Sequence, residues 1–374
     1  MFFQDDQDLG YTDCVSHQMR MQDDIPVASH FRRIPPTQIQ EVKEHIQMLL
    51  DKKIVRKSCS PYASPVVIVR KKDNSIRLYV DYRQLNAKTV PDAYPLPRID
   101  DSLDALGGAR LFSTLDLASG YHQVAMKEED IEKTAFTTLF GLFEYLRMPM
   151  GLNTAPATFQ RLMQTTMNDL AFQILLVYLD DLLVYSRDFD EHLERLQVVF
   201  DRLREVGLKL NPKKSQLARS SVEYLGYTVS GSGISTSEGK ISSVRNWKTP
   251  RTLRELRSFL GFASYYRRFV NGFAKLALPL NRLVSTTYQK GGEKKRKSKH
   301  VSIAQDWDAK CQQSFQDLKD ALTTAPVLGY ADFSQPFILE TDASLDGLGA
   351  VLSQEQEGGR RVIAYASRSL RPAE

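Results

Sequence analysis

The chain has 374 residues, 42% hydrophobic and 25% charged, with a formal net charge of +5 and a pI near 8.9. These proportions exclude a disordered chain and fit two or three globular domains, with a mild basic excess that suits a nucleic-acid partner without requiring one. No run approaches the roughly 18 apolar residues of a membrane span, no basic-then-apolar opening reads as a signal peptide, and three scattered cysteines (Cys14, Cys59, Cys311) without CxxC spacing imply neither a disulfide framework nor a zinc site.

Residues 1–16 are polar and acidic and read as a linker or disordered leader. From Pro35-Pro36, apolar residues at Ile39, Val42, Ile46, Leu49 and Leu50 predict a helix ending near Lys53. Two strands are expected, Ser64 to Val69 and Ile76 to Tyr82, joined by the turn Asp73-Asn74-Ser75. Leu111 to Leu117 reads as a strand with Asp116 near its C-terminal end, and Ala118-Ser119-Gly120 breaks it. A helix over Ala157 to Leu170 follows.

Next come two apolar, β-prone runs, Ile174-Leu175-Leu176-Val177 and Leu182-Leu183-Val184-Tyr185, on either side of Tyr178-Leu179-Asp180-Asp181. They predict a buried hairpin whose turn carries two acids and lacks the Gly that tight primed turns favour. From Asp190 to Val206 a helix is expected, with Leu193, Leu196, Val199, Phe200 and Leu203 on its packed face. After Gly231-Ser232-Gly233 the chain turns helical. Leu253, Leu256 and Leu260 make one face there, and Arg251, Arg254 and Arg257 another. Between Ile241 and Val270 seven Lys or Arg oppose one acid, Glu255. So one-sided a cluster points to phosphate contacts, against a plain solvated helix face. Gln289 to His300 is basic and of low complexity, and predicts a flexible insert near 286–305: a solvated linker, an import signal or a nucleic-acid tether. Three strands are expected to close the chain, Phe337 to Ser344, Gly349 to Leu352 and Val362 to Ser367.

The chemistry is carried by carboxylates. Two unit charges about 4 Å apart repel by roughly 4 kcal/mol at an effective dielectric near 20, so Asp180 and Asp181 call for a nearby cation. Oxygen-only ligands on a rigid turn suit Mg²⁺. Asp116 on a neighbouring strand would complete a three-carboxylate site of the kind used in two-metal phosphoryl or nucleotidyl transfer. An ordinary polar turn is the bland alternative for the Asp pair alone.

The chain resembles the reverse transcriptases of gypsy-type LTR retrotransposons. The matching blocks are SPYASPVVIVRKKDNSIRLYVDYRQLN (60–86), YPLPRID (94–100), FSTLDLASGYHQV (112–124), KTAF (133–136), MPMGLNTAPATFQ (148–160), YLDDLLVYS (178–186), EYLGYTVS (223–230), LRSFLGFASYYRRFV (256–270) and FILETDAS (337–344). The resemblance implies an α+β fold, a right-hand polymerase of fingers, palm and helical thumb followed by a truncated RNase H-like domain. It implies an N-terminal extension at 1–34, fingers and palm at 35–230, thumb and connection at 231–328, and the N-terminal part of the RNase H-like domain at 329–374.

The resemblance also assigns roles. Asp116, Asp180 and Asp181, with the Leu117 carbonyl, would hold two Mg²⁺. Lys71 and Arg77 would meet the incoming deoxynucleoside triphosphate, and Lys213 or Lys214 would protonate pyrophosphate. Tyr121 would be the steric gate against the ribose 2′-hydroxyl. Gly151 would permit close approach of nucleotide and template, while Met150 departs from the Phe usual in gypsy elements and the Gln of retroviruses. Leu225-Gly226 matches the primer grip, and Arg251, Arg254 and Arg257 would grip a primer paired to an RNA or DNA template. Asp342 matches the first RNase H metal ligand; its partners would lie beyond Glu374, so nuclease activity is not expected. His122 and His192 are expected to be structural. The implied setting is intracellular, a cytoplasmic virus-like particle or the nucleus, with dimerisation or other Pol products as further partners and no membrane. A decayed copy that only binds nucleic acid is the alternative; the intact acids, fingers contacts and gate favour the enzyme.

Overall fold

A computed structural model describes residues 2, 9–70, 76–296, 301–345, 347–356 and 358–370. The chain forms two compact units. The first comprises residues 1–102 and 112–219, the second residues 103–111 and 220–374.

The first unit holds a five-stranded sheet in the order Val55–Lys57, Gly141–Tyr145, Phe136–Thr138, Ser64–Arg70, Ile76–Val80. The helix Ile39–Asp51 lays Val42, Ile46 and Leu49 into its core. A second, four-stranded sheet runs Gln216–Arg219, Leu111–Asp116, Asp181–Ser186, Leu175–Tyr178. Leu175, Leu176, Val177, Leu182, Leu183 and Val184 are all buried. Unbroken apolar runs are what a hairpin covered on both faces requires. One cover is the helix Ala155–Met167, whose buried residues include Phe159, Gln160, Leu162 and Met163. It starts two residues earlier than the sequence suggests, because Pro156 is tolerated in a first helical turn.

The helix Phe189–Glu205 packs through His192, Leu196, Val199 and Leu203, with Asp188 as a side-chain cap accepting from the Glu191 N–H at 2.9 Å. Leu193, expected on that face, is exposed, and polar His192 takes its place. His192 is held on both sides. Its Nε2 bonds the Ser113 hydroxyl at 2.7 Å, and Nδ1 bonds Ser186 Oγ at 2.8 Å. Two hydrogen bonds, one to each neighbouring strand, thus outweigh the apolar preference of the position.

Residues 12–16, expected to be disordered leader, belong to a strand. Thr12–His17 pairs in parallel with Val124–Met126. Its buried residues, Thr12 and His17, are polar, which hid it from a hydrophobicity reading. His17 bonds Thr158 Oγ1 at 2.8 Å.

In the second unit an antiparallel sheet, Ser221–Tyr224, Tyr227–Ser230 and Gly233–Thr236, is followed by the helices Glu238–Arg245, Leu253–Tyr265, Phe273–Arg296 and Ala309–Thr323. Phe259 and Phe315 join two of them, ring centroids 4.6 Å apart. The meander Ile338–Ser344, Gly347–Gln356, Gly359–Ser369 completes the unit. Leu328 pairs with Ile234, and the Gly329 N–H donates to the Val362 carbonyl at 2.8 Å.

The expected flexible insert at 286–305 is corrected at both ends. The helix from Phe273 continues through Arg296, so the first part of the expected insert is helical backbone. Past residues 297–300, which lie outside the described residues, the Leu253 and Ile303 N–H groups bond the Val301 and Arg251 carbonyls, and Ile303 is buried. Among the described residues no helix is long and apolar enough to cross a membrane.

Candidate active site

Asp181 opens one hairpin strand opposite Tyr178, so Leu179 and Asp180 alone make the turn. Leu179 carries the positive φ, 55°, that such a turn usually gives to Gly. Left-handed backbone costs a branched L-residue about 1 kcal/mol. Gln160, buried on the covering helix, offsets it: its Oε1 accepts the Leu179 N–H at 2.9 Å. A hydrogen bond from outside thus fixes the turn that aims Asp180.

The Asp116 strand lies directly beside the Asp181 strand. The loop after Lys209 wraps its end. Ser215 Oγ accepts the Asp116 N–H at 3.1 Å, the Asn211 N–H donates to the Asp116 carbonyl at 2.7 Å, and Asn211 Oδ1 accepts the Lys213 N–H at 3.0 Å. This geometry separates the two lysines that sequence leaves equivalent. Lys214 Nζ sits 3.3 and 3.4 Å from the Asp116 carboxylate oxygens. Desolvation, then Asp180, then Asp116 push the Asp181 carboxyl up to about 6, with Lys214 opposing them. Asp181 as a residue is exposed on its turn, so water moderates the effect.

Among the described residues no three His, Cys, Asp or Glu side chains are already gathered as a metal cage. The donor chemistry nonetheless fits a divalent cation. The three carboxylates are oxygen-only and mutually repelling, and Mg²⁺ is usually held by one or two carboxylates with substrate phosphates completing its shell.

Tyr121 stands on the short helix Gly120–Gln123, entered through Ser119 at φ 51°. Its ring is half-buried, 5.3 Å from the Phe159 ring, and burial followed by the Asp180 charge pushes its hydroxyl up to about 12. A Cβ at Gly120 would stand 3.2 Å from the Phe159 ring, a tight contact that glycine avoids. Arg77 and Met150 line one cavity of about 200 Å³ together with Ser119 and His122, and the Arg77 guanidinium bonds the Tyr79 hydroxyl at 3.0 Å. Gly151 has φ 102°, and Asn86 Nδ2 donates to its carbonyl at 2.8 Å. Lys71 lies outside the described residues.

In the second unit, Leu225-Gly226 forms the turn between Tyr224 and Tyr227. Arg251, Arg254 and Arg257 are exposed, while Leu253 and Leu256 are buried. Asp342 is exposed on the meander's first strand.

Residues 69–229 match the family model for reverse transcriptase (RNA-dependent DNA polymerase), and residues 307–374 match that for the RNase H-like domain found in reverse transcriptase. Over 365 residues the chain is 41% identical to the retrovirus-related Pol polyprotein from transposon opus of Drosophila melanogaster, covering 96% of this chain and 36% of that protein. Over 378 residues it is 37% identical to the Pol polyprotein from transposon gypsy of the same fly, covering 98% and 35%.

The chain belongs to the reverse transcriptases of gypsy-type Pol polyproteins.

This reverse-transcriptase region spans about a third of the length of those relatives. Its fold is that of the foamy viral protease-reverse transcriptase. The structure solved in complex with dsDNA aligns with a TM-score of 0.84 at 25% identity, covering all of this chain and 75% of that one. The structure with an RNA/DNA hybrid aligns at 0.82 and 25%, covering 100% and 48%. The α+β right-hand polymerase architecture with RNase H-like strands is therefore present.

Within this reverse-transcriptase site, four supporting residues escape sequence reasoning: Gln160, Asn211, Ser215 and Gln123. Gln123 is fully buried; its Nε2 donates to the Ala118 and Lys209 carbonyls at 2.8 and 2.9 Å, and its Oε1 accepts the Lys209 N–H at 2.8 Å. It stitches the loop after Asp116 to the loop bearing Lys214. Asn211 alone left a signal, since Asn-Pro initiates turns.

Proposed function

We propose that this chain is an RNA-directed DNA polymerase, extending a primer 3′ end along an RNA or DNA template during retrotransposon replication. The observation that carries the reading is the sheet geometry: Asp116 ends the strand beside the one that Asp181 opens, Asp180 stands in the adjoining turn, and the Lys214 amine lies 3.3 Å from Asp116. Two Mg²⁺ held by the three carboxylates and the Leu117 carbonyl would supply activation of the primer 3′-hydroxyl and stabilisation of the leaving pyrophosphate.

The remaining work is positioning. Arg77, with Lys71, binds the triphosphate. The half-buried Tyr121 ring, packed on Phe159, acts as the gate against a ribose 2′-hydroxyl. Met150 and Gly151 border the nucleotide, and Gly151 lets the backbone approach it. Lys214, whose Nζ stands beside Asp116, would deliver a proton to the leaving group; of the two lysines it is the one this position favours. Leu225-Gly226 meets the primer, and Arg251, Arg254 and Arg257 neutralise backbone phosphates of the duplex. The foamy viral neighbours hold nucleic-acid duplexes, which supports a duplex partner here. Extension of a labelled DNA primer on an RNA template, with Mg²⁺ and deoxynucleoside triphosphates, tests the reading. Extension stopped by Asp116→Asn supports it, and a wild-type chain that binds the duplex without extending it rejects it.

A further inference from the structure

The helix Leu253–Tyr265 ends in paired tyrosines, Tyr265 as its last residue and Tyr266 as its cap. Facing them is the turn Leu225-Gly226. Both turn residues have left-handed backbone, φ 50° and 82°. This is the type I′ geometry that Asn, Asp or Gly usually supplies. Leu225 has no side-chain means of favouring it, so the turn is held from elsewhere.

The tyrosines hold it. Tyr265 Oη donates to the Leu225 carbonyl at 2.7 Å, and Tyr266 Oη donates to the Gly226 carbonyl at 3.0 Å. In return, the Tyr227 hydroxyl donates to the Tyr265 carbonyl at 3.4 Å. The Tyr227 ring stacks on Tyr265 at 5.4 Å and meets Tyr266 edge-on at 5.5 Å. Adjacent residues of a continuous helix point about 100° apart. The chain leaves the helix at Tyr266, φ −100° and ψ 13°, and both hydroxyls reach successive carbonyls of one turn. A Cβ at Gly226 would stand 2.8 Å from the Tyr266 hydroxyl, so glycine serves the contact as well as the backbone.

We propose that Tyr265 and Tyr266 are positioning residues, a hydroxyl latch that fixes the Leu225-Gly226 turn and through it the primer 3′ end. The inference rests on reading that turn as a primer contact. It accounts for two tyrosines in sequence where packing alone would use the rings and leave the hydroxyls idle. Replacement by Phe keeps the rings, and the Ser237 N–H still donates to the Gly226 carbonyl at 3.3 Å, so the turn persists with its carbonyls less tightly held.

The test uses the full chain with Tyr265→Phe, Tyr266→Phe, both together, and Gly226→Ala, in single-turnover extension of a matched primer. The double Phe variant should lower the maximal extension rate about tenfold, the order expected for two neutral hydrogen bonds, while Kd for primer–template stays within about threefold and Tm within a few degrees. A wild-type rate in that variant overturns the latch. So does a rate loss matched by equal losses of duplex affinity or Tm, which marks the tyrosines as merely structural. Gly226→Ala separates the two levels. If it extends at the wild-type rate, the primer reading of the turn falls. If it is slow while the double Phe variant is not, the latch alone falls.

Discussion

Replacing Lys214 with Ala separates charge balance from proton delivery. Its Nζ lies 3.3 and 3.4 Å from the two Asp116 oxygens. At an effective dielectric near 20 that distance corresponds to about 5 kcal/mol of gross attraction. The two side chains are 65% and 33% exposed, so hydration and screening leave no more than about 1 kcal/mol. The fold should therefore lose about 1 kcal/mol or less. Lys214 competes with any divalent cation for Asp116, so apparent Mg²⁺ affinity should hold or tighten by up to about fivefold, that same 1 kcal/mol. Extension should nonetheless slow by about 10²-fold, the lower end of what a positioned proton donor contributes. Rate and metal affinity thus move in opposite directions. Single-turnover extension across a Mg²⁺ titration, beside urea unfolding, reads all three quantities. A larger loss from Lys213→Ala, or full recovery of Lys214→Ala at high Mg²⁺, would refute the assignment of the proton to Lys214.

Burial holds His17 down to about 4, outweighing Asp130 and Asp92, which act to raise it; Arg161 acts with burial. The unfolded chain therefore takes up a proton near pH 6.5 that the folded chain refuses until about pH 4, so this contribution is intact above 6.5 and is lost as pH falls. Between pH 6.5 and 5 the wild type should lose roughly 2 kcal/mol more than His17→Gln in urea unfolding, and equal losses would contradict the burial argument. Tyr121→Val should raise ribonucleotide incorporation relative to deoxynucleotide incorporation, measured as the ratio of efficiencies on one template; an unchanged ratio in an active variant places the ring in the core alone. Neutralising Arg251, Arg254 and Arg257 together should reduce the log–log salt slope of duplex binding by up to about 2.7 on B-form DNA, and an unchanged slope shows that they face solvent.

The strands of the Asp180 hairpin were legible because Leu175 to Val177 and Leu182 to Val184 are apolar throughout and buried on both faces. What was hidden is polar and buried. Thr12 lay in a stretch that read as a polar leader, yet it is buried in a strand, and its neighbour His17 bonds Thr158 far along the chain. Gln123 and Gln160 carry no periodic signal, and their value lies in backbone groups brought near them only by folding. The left-handed Leu179 violates local preference, and its compensation sits 19 residues away on another element. Lys213 and Lys214 differ only through the Asn211 turn. The basic run after Gln289 looked like a linker because composition reports propensity and solubility together, whereas the packed helix before it decides the first part.

The central claim is that the three aspartates perform metal-assisted nucleotidyl transfer, and the direct measurement is extension of oligo(dT) on poly(rA) with Mg²⁺ by the wild type and by Asp180→Asn and Asp181→Asn. The wild type should extend. Both variants should lose extension while binding the duplex within a few fold of wild type, since the proposed role of these side chains is to hold metal and not phosphate. Extension within about tenfold of wild type in both variants, a difference of no more than about 1.4 kcal/mol in the barrier, would contradict the account.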